Sequence, residues 1–150
     1  MSRLREFTAR VQIGCSPEQA FDFVADHRNV PLVLEGVSRW EPLSSRTRGT
    51  GARYEVEMRT LGVPLTNRLV LDAWDRPRTI GWHSESGLIR QQGRWTFTPV
   101  DGGVEVELRI GYQPPGALVG SFLAARADAI VRRRLERALE EMRARLEVPE

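Results

Sequence analysis

The sequence predicts an α+β fold in which a curved antiparallel sheet of about seven strands wraps around a long C-terminal helix. Three observations support this prediction. The chain opens with a segment whose apolar and polar residues alternate, which is the period of a half-buried strand. After two short helical segments, a run of strand-like segments separated by short turns extends from Val37 to Gln113. The final segment, 117–146, contains no proline and only one glycine.

Length and charge limit the class of protein. The 150 residues suit one domain, since domains typically run about 100–150 residues, and we expect a single domain over residues 1–150. All 22 basic residues are arginine, and against 20 acidic residues they leave a net charge of +2. A nucleic-acid-binding protein usually carries a clustered basic excess, which this balance does not supply. We therefore expect no nucleic-acid partner.

The cellular compartment is predicted from three features that the sequence lacks. No stretch approaches about 18 consecutive apolar residues, so we expect no integral membrane association. The charged N-terminal segment lacks the apolar core of a signal peptide, and the single cysteine, Cys15, cannot form an internal disulfide. These features predict a cytoplasmic monomer or homodimer. Cys15 and the two histidines lack metal-ligand spacing, so we expect no metal and no cofactor.

The N-terminal part combines one strand with two short helices. The apolar positions of the strand are Phe7, Ala9, Val11 and Ile13.

A capping motif predicts where the first helix begins. Ser16 is a good N-cap, Pro17 fits the first helical position, and Gln19 completes a capping box. A second short helix or turn is predicted over Val30–Leu34, with Gly36 stopping it.

Six further strands are predicted between turn residues. Gly62 and the segments 75–78 and 101–103 supply the clearest turns, the last being Asp-Gly-Gly. Such short connections predict antiparallel neighbours, because parallel strands need crossovers of a dozen or more residues. The predicted strands are Val37–Leu43, Arg53–Leu61, Pro64–Trp74, Thr79–Glu85, Arg90–Pro99 and Val104–Tyr112.

The C-terminal helix is predicted from Ala117 to Leu146, and its two halves differ. Residues 117–131 are apolar on most faces, so we expect this half to be largely buried over the sheet. The second half has one apolar stripe, formed by Leu135, Ala138, Leu139, Met142 and Leu146.

Three stretches resemble the START/Bet v allergen-like (SRPBCC) helix-grip superfamily, in its bacterial polyketide cyclase/dehydrase and lipid-transport branch. They are Ser16–Asp26 followed by Val30-Pro31, Gly93–Pro99 followed by Asp-Gly-Gly, and Tyr112–Gly116 leading into the long helix. The resemblance implies a helix-grip fold of order β-α-α-β6-α with an internal cavity between sheet and helix. This fold hosts cyclases, hydrolases, lipid carriers and hormone receptors.

If that geometry applies, alternate strand positions face the cavity, and part of the long helix covers it. The alternative is an ordinary filled core made of the same residues. The predicted cavity positions on strands are Tyr54, Val56, Met58, Asn67, Leu69, Leu71, Trp82, Trp95, Phe97, Leu108, Ile110 and Tyr112. The predicted positions on the helix are Phe122, Leu123, Ala127 and Ile130.

Asn67 is the most informative polar residue in this set. A buried amide needs partners, so Asn67 either binds backbone at a bulge or offers a hydrogen bond to a ligand. Tyr54 and Tyr112 would bring hydroxyl groups to the same face. His83 alternates with Trp82 and is expected to face solvent, and His27 is expected to act at a helix end.

No catalytic set of the cyclase type emerges from the sequence. Arg68, Asp72 and Arg109 have suitable chemistry, but their parity predicts that they face outward. Whether Arg68, Arg109, Arg126 or His83 reaches the cavity is left open by the pattern.

These observations favour a non-catalytic carrier of a small or medium hydrophobic molecule. One alternative is a polyketide aromatase/cyclase or dehydratase. Another is an interaction module with a filled core and no cavity.

Overall fold

A computed structural model describes residues 4–60, 62–87, 89–113 and 122–147, except for the side chains of residues 60, 63 and 122–124. The helical elements are α1 (Pro17–Ala25), a 3-10 turn (His27–Asn29), α2 (Val30–Val33) and α3 (Phe122–Leu146). The strands are β1 (Arg5–Ile13), β2 (Val37–Pro42), β3 (Arg53–Thr60), β4 (Val63–Asp75), β5 (Thr79–Gly87), β6 (Arg90–Val100) and β7 (Gly103–Gln113).

The seven described strands form one antiparallel sheet in the order β1-β7-β6-β5-β4-β3-β2. Strands β2 to β7 pair with their neighbours in sequence, and β1 returns to pair with β7. Irregularities in register within β2–β3 and β4–β5 bend the strands and increase their twist. This curled α+β sheet with a C-terminal helix is the predicted helix-grip arrangement, and most strand ends lie within two residues of the predicted ones.

The capping box before α1 is confirmed. Ser16 Oγ accepts a hydrogen bond from the Gln19 backbone N–H at 3.1 Å, and Gln19 Oε1 accepts one from the Ser16 N–H at 2.9 Å. The cap directs the apolar face of α1 onto the sheet, where the Phe21 ring meets Trp74 and Phe97 edge-on at 5.3 and 5.7 Å between centroids. Helix α1 therefore closes one end of the curl.

Helix α3 is anchored by its second half. Leu135, Ala138, Leu139 and Met142 are all 1% exposed or less, which confirms the predicted stripe. Of the helices in the described part of the chain, none combines the length and apolar composition needed to cross a membrane.

The first half of α3 departs from the prediction where its side chains are described. Ala127 is buried, but Ala125, Arg126 and Ala129 are exposed, and Ile130 is half-buried. Alanine has little apolar surface to lose, so a helix can leave it in water at small cost. The expectation that this half is largely buried is therefore wrong for residues 125–131.

Polar contacts fasten both ends of α3 to the β1 side of the sheet. Asp128 accepts hydrogen bonds from the Tyr112 hydroxyl at 2.6 Å and from the Arg5 guanidinium. Near the C-terminal end, Glu147 accepts from the backbone N–H of Gly14 at 2.6 Å.

A second set of contacts ties α3 to β3 and to the segment between α2 and β2. The half-buried Arg134 donates to the backbone carbonyl of Arg59 at 2.5 Å, and burial lowers the pKa of its guanidinium. Arg137 pairs with Glu35 at 3.0 Å. Arg134 lies against the bare Cα of Gly36, where an added Cβ would stand 2.4 Å from the guanidinium carbon.

We expect Leu139→Ala to lower the free energy of unfolding by about 2–5 kcal/mol, because it opens a cavity in the buried stripe of α3. Urea denaturation measures the change. Glu140→Ala, at the adjacent exposed position, is the control and should change stability by less than about 0.5 kcal/mol. Similar losses in both variants would contradict this account of how α3 docks.

Gly36→Ala tests whether the packing of Arg134 against Gly36 helps to dock α3. Gly36 (φ +86°) and Gly51 (φ +94°) both adopt a left-handed conformation, but nothing lies within 4 Å of a Cβ added at Gly51. Both alanine variants carry the backbone strain, whereas only Gly36→Ala also displaces Arg134 from its hydrogen bond. We expect Gly36→Ala to be less stable than Gly51→Ala by about 1 kcal/mol or more in thermal or urea unfolding. Equal losses would show that Arg134 contributes nothing to docking.

Candidate functional site

The concave face of the sheet carries the strand positions that the sequence predicts for a cavity. Met58 and Ile110 are half-buried there, while the side chains of Phe122 and Leu123 lie outside the described part of α3. A role in ligand contact stays a prediction for all of these positions. The buried ones are Tyr54, Val56, Asn67, Leu69, Leu71, Trp82, Trp95, Phe97, Leu108 and Tyr112, together with Ala127 of α3.

A small cavity of about 30 Å³ lies between the sheet and the segment that joins α1 to α2. This volume has room for one or two water-sized groups. Its sheet wall is strongly aromatic, with the Trp40 and Trp82 rings in edge contact at 5.8 Å. The lining residues are Val24, Ala25, His27, Val30, Leu34, Trp40, Tyr54, Leu71, Trp74, Ile80, Trp82 and Trp95.

Trp82 places a hydrogen-bond donor in this wall of the cavity. The side chain is 4% exposed, and its indole Nε1 is buried without a hydrogen-bond partner among the described residues. The ring lies over Gly93, where an added Cβ would stand 2.1 Å from a ring carbon. Gly93 therefore makes room for the indole on the concave face.

His27 lies in the cavity wall, which the sequence analysis did not foresee. Its ring centroid is 5.8 Å from that of Tyr54. The cap of the 3-10 turn comes instead from Asp26, whose carboxylate accepts from the Arg28 N–H at 3.0 Å. The turn after α1 directs His27 toward the sheet. Because this direction does not follow from a helical or strand period, the sequence pattern could not predict the position of His27.

Asn67 is 3% exposed and uses only part of its hydrogen-bonding capacity. Its Nδ2 donates to the backbone carbonyl of Ile89 at 3.0 Å, whereas its Oδ1 is buried with no partner in the described structure. Gly87, the cross-strand neighbour, has φ +128°, and an added Cβ there would stand 1.9 Å from that oxygen. The amide thus binds backbone through its nitrogen and leaves an acceptor unused.

Gln91 is a second buried amide on the concave face, and the sequence analysis missed it. It is 7% exposed, and its Nε2 lies 3.4 Å from the Met58 sulfur. Its parity on β6 matches that of Trp95 and Phe97, so strand alternation alone contained the signal.

The hydroxyl groups of both tyrosines donate hydrogen bonds to acceptors within the protein. Tyr54 donates to the backbone carbonyl of Thr47, and Tyr112 donates to Asp128 at 2.6 Å. Burial raises the pKa of Tyr54 to about 12. Burial, with the hydrogen bond to Asp128, raises the pKa of Tyr112 well above its ordinary value. Both groups therefore stay protonated near neutral pH.

The other reactive candidates lie on the outer face or at the surface. Arg68, Arg109 and Arg126 are exposed, and the exposed His83 pairs through Nδ1 with Asp72 Oδ2 at 2.7 Å. The predicted outward parity of Arg68, Asp72, His83 and Arg109 is confirmed.

Neither a metal cluster nor a reactive thiol emerges from the described residues. No three histidine, cysteine, aspartate or glutamate side chains within them converge to hold a metal ion. Burial and the neighbouring Glu147 raise the pKa of Cys15, which keeps the thiol protonated near neutral pH.

The comparisons with known proteins agree with this geometry. The profile of the family described as "Polyketide cyclase / dehydrase and lipid transport" matches residues 5–147. A comparison with curated proteins found no match.

Solved structures share the fold at low sequence identity. A protein from Thermus thermophilus has a TM-score of 0.81 at 21% identity, with 95% of this chain and 97% of that chain covered. The Zhui aromatase/cyclase from a Streptomyces species has a TM-score of 0.72 at 16% identity, with 97% of each chain covered. Ara h 8.0201 has a TM-score of 0.69 at 13% identity, with 95% of this chain and 97% of that chain covered.

Alkaline titration tests the state of the tyrosines, and the chain has no lysine whose ionisation would overlap with theirs. A tyrosine in the unfolded chain ionises near pH 10, whereas Tyr54 in the fold has a pKa of about 12. The unfolded state therefore releases its proton first, and the stabilisation that is complete below about pH 10 is lost as pH rises through about 12.

We expect tyrosinate absorbance of the folded protein to lag behind that of the urea-unfolded chain between about pH 10 and 12. Tyr54→Phe should show a shallower loss of stability over this interval, with Tyr112 accounting for the remainder. Folded and unfolded titration curves that coincide would contradict the buried state of these hydroxyls.

Proposed function

The chain belongs to the polyketide cyclase/dehydrase and lipid transport family, and from this premise we propose that it binds a hydrophobic small molecule between the concave face of the sheet and α3. The ligand class is a lipid, polyketide or isoprenoid-like compound. The role is carriage or sequestration in the cytoplasm, by a monomer or homodimer of a single domain, without a bond-making step and without a nucleic-acid partner.

One observation carries the proposal: a buried hydrogen-bond acceptor without a partner on the largely apolar concave face. A buried acceptor without a partner costs about 1–3 kcal/mol, and Asn67 Oδ1 is such an acceptor within the described structure. A ligand hydroxyl that donates to it would remove this cost. The surrounding Val56, Leu69 and Leu71 supply apolar contact worth about 25 cal/mol per Å² buried.

The tyrosines, the outward arginines and His83 favour binding over catalysis. General acid–base chemistry needs a group that gains or loses a proton near neutral pH. Tyr54 and Tyr112 remain protonated there, and Arg68, Arg109 and His83 lie away from the concave face.

A polyketide cyclase or dehydratase remains the second candidate function because His27 lines the cavity. An imidazole ring can accept or donate a proton through its nitrogen atoms, so it can act as a general acid or base. His27→Gln separates the two functions, since a cyclase would lose turnover while its affinity for the ligand persisted.

The volume of the cavity favours a further alternative, an interaction module with a filled core. A cavity of about 30 Å³ is smaller than any lipid-sized ligand, so binding requires side chains on the concave face to move apart. A carrier must undergo this opening, whereas an interaction module has no need of it.

Native mass spectrometry of freshly purified protein, followed by solvent extraction, tests the proposal. We expect a co-purifying apolar adduct, and we expect Asn67→Leu to reduce its occupancy while the protein still unfolds in one cooperative transition. The control is Gln92→Leu, at an exposed position on the opposite face of β6, which should leave the adduct in place.

Two outcomes would contradict the proposal. If neither the purified protein nor protein incubated with extracted bacterial lipids carries an adduct, the filled-core alternative holds. If Asn67→Leu retains the adduct at the occupancy of the wild type, Asn67 does not orient a ligand, and its amide serves only the carbonyl of Ile89.

A further inference from the structure

The outer face of the sheet, opposite the concave face, carries two arginines side by side. Arg94 on β6 and Arg109 on β7 are direct cross-strand partners, and both side chains are exposed. Their Cβ atoms therefore lie about 5 Å apart, and like charges at such positions destabilise a sheet. Within the described part of the chain, no carboxylate forms an ion pair with either guanidinium. The sheet thus holds two positive charges together without compensating them.

Two carboxylates close to this pair are bound by other residues. Glu107 lies two residues before Arg109 on the same face of β7, and its carboxylate accepts from Arg10 Nε at 2.8 Å. Asp72 Oδ2 lies 2.7 Å from His83 Nδ1 on the neighbouring strand. Because these acids compensate other cations, the charge of the arginine pair is left to be neutralised by a group from outside the protein.

A groove of about 330 Å³ opens beside the arginine pair, and we call it the outer groove. Gly111 lies in the groove two residues after Arg109, and Gly81 lies opposite Arg94 on β5. Both glycines are inside strands and have outward parity, and such glycines often mark a place where a ligand approaches the backbone closely. The polar lining side chains besides the two arginines are Glu6, Asp72, Gln92, Thr96 and Glu107.

The charges along the outer groove limit the ligand to one anionic group. A phosphate monoester carries about −1.5 to −2 charges at pH 7, which matches two guanidinium groups. Each guanidinium can also donate two parallel hydrogen bonds to phosphate oxygens. A second phosphate, a nucleic acid or an anionic membrane surface would meet Glu6, Asp72 and Glu107, and this repulsion selects against a polyanion.

We propose that the outer groove binds one phosphate monoester of a small, hydroxyl-bearing molecule. The phosphoryl group lies between the guanidinium groups of Arg94 and Arg109. Hydroxyl groups of the organic part form hydrogen bonds with Gln92 and Thr96, and the bare backbone at Gly111 lets this part lie close to the sheet. The site is on the opposite face of the sheet from the proposed hydrophobic site and does not depend on it.

Three matched probes test the proposal on the wild-type protein: glucose 6-phosphate, glucose 6-sulfate and glucose. They share the sugar and differ in the charge of the group on its sixth carbon. Calorimetry in a buffer without phosphate or sulfate gives the dissociation constants. We expect glucose 6-phosphate to bind about 10-fold more tightly than glucose 6-sulfate, and glucose to show no binding. Inorganic phosphate should bind more weakly than glucose 6-phosphate, because it lacks the hydroxyl-bearing part.

Two variants assign the phosphoryl group to the arginine pair. Arg94→Gln and Arg109→Gln should each weaken glucose 6-phosphate binding about 10-fold or more. The matched control is Arg90→Gln, which removes an exposed arginine from the same face of β6, and it should change the affinity less than about 2-fold. Asn67→Leu, on the concave face, should also leave the affinity unchanged.

Thermal unfolding separates a binding pair from a structural one. Because like charges repel across the two strands, Arg94→Gln and Arg109→Gln should each raise the melting temperature in the absence of phosphate. Glucose 6-phosphate should raise the melting temperature of the wild type, since it binds the folded state, and should have little effect on either variant. If the variants melt below the wild type and bind glucose 6-phosphate equally well, the pair is structural and the proposal is wrong.

Further results would overturn the proposal on the wild type alone. Equal affinities for glucose 6-phosphate, glucose 6-sulfate and glucose would show that the arginines do not recognise a phosphoryl group. Tighter binding to vesicles with 20 mol% phosphatidic acid, or to a short DNA duplex, would assign the outer face to a polyanion. Neither result bears on the apolar adduct, so the proposed function and this site are tested separately.

Discussion

The docking of α3 against the β1 side of the sheet is the contact that joins the C-terminal helix to the rest of the fold. An apolar stripe centred on Leu135 and Leu139 is withdrawn from water, and this burial supplies most of the docking free energy. Polar contacts then determine where along the sheet the helix stops. Asp128 meets Tyr112, and Glu147 meets the backbone of Gly14. Without this helix the curled sheet would expose its apolar concave face.

The same contacts explain why Tyr112 is a structural residue and not a free functional one. Its hydroxyl holds Asp128, and its ring stacks on Phe7 at 6.0 Å between centroids. Tyr54 has a corresponding place at the other end of the face, where it holds the loop carbonyl of Thr47. With both hydroxyls engaged, the unused hydrogen-bonding capacity of the concave face lies in Asn67 and Trp82. The buried polar atoms that this face leaves without a partner in the described structure are therefore an amide oxygen and an indole N–H.

The arginine-rich composition has a structural role on the outer face. Arg10 pairs with Glu107 and Arg53 with Glu85, each at 2.8 Å, and Arg76 pairs with Asp22 at 2.9 Å. Exposed pairs of this kind contribute about 0–1 kcal/mol each, so they do not hold the fold together. Their effect is to keep charge on the solvent side of each strand. The cost of burying a guanidinium favours this placement, and the buried polar residues of the described chain, Asn67 and Gln91, are both uncharged.

Local patterns in the sequence were enough to predict the helices and strands and which face of each strand is buried. The Ser16 capping box, the turn glycines and the alternation of Tyr54, Val56 and Met58 act over a few residues, so a local pattern was enough to predict them. Tertiary structure alone decided the exposure of the first half of α3, the position of His27 against Tyr54, and the unused atoms of Asn67 and Trp82. Each of these depends on which residues that are distant in the sequence come close to the side chain. That proximity arises only when the sheet curls and α3 docks, and no periodicity in the sequence records it.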